Sequence, residues 1–140
     1  MHILRRVALY ALCIVTVLGV RVLLWVTQYQ KILGWLVRPC GADPQPERRG
    51  TVVHTTRAVS HTARFIPDAS CLTQSISCQA VLSWRGIPTT IAMGVRKDAK
   101  GELRAHAWLV WNDLVVLEGD EDTPSDFKTI ATLPTPTRLS

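Results

Sequence analysis

The chain has no C-x-x-C pair and no histidine at zinc-finger spacing from its cysteines. Neither a structural metal site nor a disulfide framework is therefore expected, and no cofactor is called for. The four cysteines stand alone at positions 13, 40, 71 and 78. If Cys71 and Cys78 share a helix, they lie about 10 Å apart along its axis, too far to bond. Four reduced thiols are expected. A long basic run interleaved with aromatics is also missing: the net charge of +5 is scattered, with pairs only at Arg5-Arg6 and Arg48-Arg49. That pattern disfavours nucleic acid as a partner and leaves an acidic peptide or an anionic lipid surface as the fitting ones. Finally, no small-x-small cleavage site follows the apolar N-terminal run, so a cleaved signal peptide is disfavoured.

What is present suits one modest domain, since 140 residues at 47% hydrophobic composition can bury a core. Residues 7 to 26 are apolar except for Thr16 and Arg21, and the apolar character resumes from Ile32 to Val37. The first run has the length of a membrane span, but Arg21 inside it is costly unless it snorkels. The competing reading is a helical pair, packed on its own domain or lying on a membrane surface. Residues 1–38 form this apolar helical segment. The run PCGADPQPERRG at 39–50, with three prolines, two glycines and four charges, has linker composition, and 51–140 is the second unit.

In that unit, residues 55–66 show helical spacing that Pro67 ends. The next helix is capped by Asp68 or Ser70, repeats Leu72, Ile76, Ala80 and Trp84 every four residues, and stops at Gly86. Cys71 falls in its first turn, where unpaired backbone N–H groups favour the thiolate. Three antiparallel strands follow Pro88, separated by DAKG and ND turns. On the middle strand Arg104, His106, Trp108 and Val110 share one face; Leu103, Ala105, Ala107, Leu109 and Trp111 share the other, cleaner apolar one. The His106 face is expected to meet the helix that carries Cys71.

A cysteine at a helix start, a histidine on a strand and an acid on the next strand suit thiol catalysis. The histidine takes the thiol proton and later protonates the leaving amine; the acid orients the imidazole. The bland alternative is a buried cysteine and a structural histidine. That alternative is assigned to Cys13, Cys78, His54 and His61, while Cys40 is a thiol without a role.

The spans RAVSHTARFIPDASCLTQS, LSWRGIPTTIAMGV and AHAWLVWNDLVVLEG resemble the lasso-peptide leader peptidases, the transglutaminase-like B proteins. S-C-L with a following serine, R-G-I-P after the helix, G-V closing a strand and A-H-A-W carry the likeness, which runs from about Val7 to Leu133. The resemblance implies an α+β, papain/transglutaminase-like fold and a cysteine peptidase that removes the leader from a ribosomally made precursor before macrolactam closure. Cys71 and His106 carry over as its catalytic pair.

The family's acid, twelve positions after the histidine, is usually Asp and is Glu118 here. A strict two-residue loop at Asn112-Asp113 pairs His106 with Gly119. A longer loop or a bulge brings Glu118, or alternatively Asp120, level with His106. Asp113 reads as turn chemistry. The implied partners are the precursor peptide, a separate leader-recognition protein, a lasso cyclase and contact with a membrane surface. The implied location is cytoplasmic, membrane-associated through residues 7–37. Two other readings compete: a transglutaminase-type acyl transferase on the same scaffold, and a non-enzymatic membrane-anchored binding module.

Overall fold

The computed structural model describes residues 2–41, 43, 45–66, 70–117 and 127–136. Four helices precede a four-stranded sheet: α1 (His2–Val26), α2 (Tyr29–Leu36), α3 (Arg49–Phe65) and α4 (Cys71–Trp84), then β1 (Thr90–Lys97), β2 (Leu103–Trp111), β3 (Leu114–Leu117) and β4 (Lys128–Pro134). The strands are antiparallel in the order β3-β2-β1-β4. The α+β class expected from sequence is what forms, with an N-terminal apolar helix.

The central element is α4. Ser70 caps it, its Oγ accepting from the Thr73 N–H at 3.2 Å, and Gly86 at φ 77° ends it. Every residue from Ser75 to Ser83 is buried. A helix enclosed on all sides must find partners for its polar groups within the protein, and apart from Ser75 Oγ its buried side chains do so. Ser77 Oγ donates to the Thr73 carbonyl at 2.7 Å, and Gln79 Nε2 donates to Thr89 O at 3.1 Å and Leu133 O at 2.9 Å. Gln79 thus ties the helix to the head of β1 and the tail of β4.

One apolar core spans the chain. Cys13, Val17 and Val20 of α1 join Val52 and Val59 of α3, Ile76 and Leu82 of α4, and Ile91, Leu109 and Trp111 of the sheet. The stretch rich in proline between α2 and α3 is anchored to this body. Cys40 N–H donates to Pro136 O at 2.8 Å and its buried thiol to Ser83 O at 3.4 Å. Arg49 and Gly50 already belong to α3, which starts six residues earlier than its apolar spacing suggests.

Two of the buried thiols make stability depend on alkaline pH. Burial pushes the Cys13 thiol from 9.0 up to about 11, partly offset by Arg85. Burial, then the proximity of Cys13, pushes the Cys78 thiol up as well. Unfolded thiols lose their protons near pH 9 while the folded ones keep theirs, so this contribution is complete below pH 9 and declines as pH rises toward the folded value. For Cys13 the gap corresponds to about 3 kcal/mol. Denaturant titrations from pH 9 to about pH 11 should show that loss, and Cys13→Ala should remove much of the slope.

At the β1–β2 turn Asp98 accepts from the Glu102 N–H at 3.0 Å and the Lys100 N–H at 2.9 Å, and Gly101 supplies φ 79°. The Glu102 N–H first, with Arg104 beside it, holds the half-buried Asp98 carboxyl below its ordinary range. Asn112 and Asp113, at φ 50° and 62°, form the two-residue β2–β3 turn. Trp111 pairs with Leu114 and Val110 with Val115, but the ladder then shifts, and Leu109 pairs with Leu117. A tight loop and a bulge occur together.

Gly94, opposite His106, is where the sheet closes most tightly. A Cβ there would lie 2.8 Å from Phe127 Cβ, 2.9 Å from Trp108 Cη2 and 3.1 Å from the Lys128 carbonyl. Backbone and a packed ring cannot yield cheaply, so Gly94→Ala should lower stability by about 1–3 kcal/mol in chemical denaturation.

Candidate active site

Cys71 is the first residue of α4, half-buried, and its Sγ accepts from the Ala107 N–H at 3.4 Å. That amide joins His106 to Ala107, so the thiol rests against the main chain of the histidine itself. A strand's N–H points along the sheet toward its neighbour. The last described β2–β3 pair is Leu109 with Leu117, two residues short of Ala107. The sulfur therefore meets β2 on an amide beyond that pair, at the start of α4.

His106 is buried, at 8% exposure. Its ring stacks on Phe127 at 5.2 Å and on Trp108 at 6.0 Å between centroids, and Arg96 covers the Phe127 ring at 5.0 Å. Alternation along β2 puts this aromatic layer, with Ala92, on the opposite face from Ala107, Leu109 and Trp111.

The expectation that α4 meets the His106 face is therefore corrected. The helix packs on the Ala107 face, where Ile76, Cys78 and Leu82 join Leu109 and Trp111. The physical reason is apolar area: that face is the more continuously hydrophobic one, and a buried helix takes it. The Cys71 thiol reaches the amide between His106 and Ala107, while the His106 ring lies in the aromatic layer on the other face. Glu118 and Asp120 lie outside the described residues. Asp113 sits in the turn, as expected. Among the described residues no three or more of His, Cys, Asp and Glu converge as metal ligands would.

The pattern of this helix and sheet matches a family model, described as transglutaminase-like superfamily, over residues 14–132. The chain belongs to the transglutaminase-like superfamily. Neither the curated proteins nor the solved structures gave a match. The superfamily generally contains cysteine-protease-like enzymes, and membership is compatible with a cysteine peptidase or an acyl transferase. The matched region begins within α1, so the second half of the apolar N-terminal helix, from Ile14 on, falls inside this transglutaminase-like unit.

Two contributors to the site escaped the sequence reading. Phe127, which packs on His106, precedes β4, a strand not expected at all. KTIATLP carries three β-branched residues, two of them threonines, but its exposed, partly polar alternation gives a weak strand signal. The Ala107 amide is invisible to any pattern of side chains.

Proposed function

We propose that this transglutaminase-like protein is a cysteine peptidase that removes the leader from a ribosomally synthesised lasso-peptide precursor before ring closure. The observation that carries the reading is the Cys71 thiol, held at the capped start of α4 against the amide that follows His106. Cys71 Sγ attacks the carbonyl at the leader–core junction, and His106 accepts the thiol proton. The tetrahedral oxyanion forms near N–H groups of the first turn of α4. It collapses to a thioester as His106 protonates the departing core amine. Water, deprotonated by His106, then releases the leader as a carboxylate and restores the thiol.

An acid that orients His106 completes the reading. The twelve-residue spacing of the resembled peptidases gives that role to Glu118, with Asp120 as the alternative; both lie outside the described residues.

Incubating the chain with a lasso-type precursor and its recognition protein, followed by mass spectrometry, separates the two chemistries open to the superfamily. Hydrolysis yields free leader and free core whose masses sum to the precursor plus one water. Acyl transfer to an added amine, with loss of ammonia from a glutamine, would yield an adduct and refute the peptidase reading.

A further inference from the structure

α1 is long and apolar enough to cross a membrane, yet only 28% of its most apolar window is buried within the chain. Cys13, Thr16, Val17 and Val20 form its inward stripe. Ile3, Val7, Ile14, Leu18, Val22 and Trp25 form a second, exposed stripe along the whole helix. So long an apolar strip left in water calls for a covering surface.

The charge beside it says which kind. Near its N-terminal end α1 and α3 enclose a groove of about 950 Å³ into which Arg5, Arg6, Arg57 and Arg85 converge, with histidines between them. No Asp or Glu is among the described residues that line it. α1 and α3 together carry six arginines and no acidic residue, so nothing on either helix neutralises the groove. A second, apolar groove lined by Ile3, Val7, Ala11 and Ile14 adjoins it, and Arg6 and Tyr10 line both. The two share that wall. At the far end of the strip the Arg21 guanidinium lies over the exposed Trp25 ring at 4.9 Å, an amphipathic pair suited to a headgroup boundary.

From this juxtaposition we infer that the protein docks peripherally on an anionic bilayer. The α1 strip lies in the interface, and lipid phosphates occupy the groove of Arg5, Arg6, Arg57 and Arg85. Charged headgroups beside acyl chains match a basic groove that lies beside an apolar one. An acidic peptide would match only the first. The thiol site plays no part in this surface, so Cys71→Ala should bind vesicles as the wild type does.

Sedimentation of the full chain with vesicles tests the inference. Vesicles of phosphatidylcholine containing phosphatidylglycerol should carry it down, phosphatidylcholine alone should not, and high salt should release it. Arg6→Gln with Arg57→Gln, both exposed, should weaken binding by roughly fivefold per arginine at unchanged circular dichroism. Arg5→Gln serves as a second variant should that pair fail to fold. Equal binding to phosphatidylcholine alone, or undiminished binding by the arginine variants, would overturn the inference. So would retention in the membrane after a high-salt wash, the behaviour of a span, or arginine-dependent capture of polyglutamate without capture of vesicles.

Discussion

Replacing Cys71 with Ala should abolish leader removal, a loss of at least about a thousandfold, while thermal stability and circular dichroism stay close to wild type. The large effect follows from chemistry: without the sulfur no thioester forms, and what remains is positioning of the peptide bond for water. The small structural effect follows from place. Cys71 is half-buried at the edge of the core, and its one described hydrogen bond accepts from a single N–H. Cys78→Ala should show the reverse, because that thiol lies fully buried among Ile76, Leu82 and Cys13. Its removal should cost stability, by about 1 kcal/mol for a methyl-sized void, and leave catalysis nearly intact. If Cys71→Ala cleaves at the wild-type rate, Cys71 is not the nucleophile.

His106→Ala should reduce cleavage by a factor of about a hundred or more, the range that general acid–base catalysis supplies. This residue is also structural, because its ring fills the space between Phe127 and Trp108. His106→Phe keeps the aromatic layer and removes the proton-transferring nitrogens. A catalytic histidine predicts that Phe restores stability without restoring activity. A purely structural histidine predicts that Phe restores both. The acid is read on the same scale: Glu118→Gln should lower the rate more than Asp120→Asn, and the opposite order would give the role to Asp120.

The fold was legible wherever pattern and punctuation agreed. Ser70, the four-residue repeat and Gly86 marked both ends of α4, and the Asp98 and Asn112-Asp113 turns marked the strands. Which face of β2 receives α4 does not follow from the chemistry of a histidine facing a cysteine. The apolar content of the Ala107 face argued the other way, and packing followed it. β4 was missed since an edge strand with one exposed side has little apolar alternation to show. The bulge in β3 cannot be read from LVVL, where every register buries a similar apolar side chain. Helix position and motif single out Cys71 and His106 as candidates. The contact of the Cys71 thiol with the Ala107 N–H belongs to the backbone and is legible only in the fold.

The claim that Cys71 is the nucleophile is tested most directly by stopping the reaction with acid during turnover and mapping the enzyme by mass spectrometry. The account predicts a leader peptide attached, with loss of one water, to Cys71 within the tryptic fragment from Phe65 to Arg85, and no label on Cys78 in that fragment. Turnover with the leader attached to another residue, or with Cys71 never modified, would contradict it.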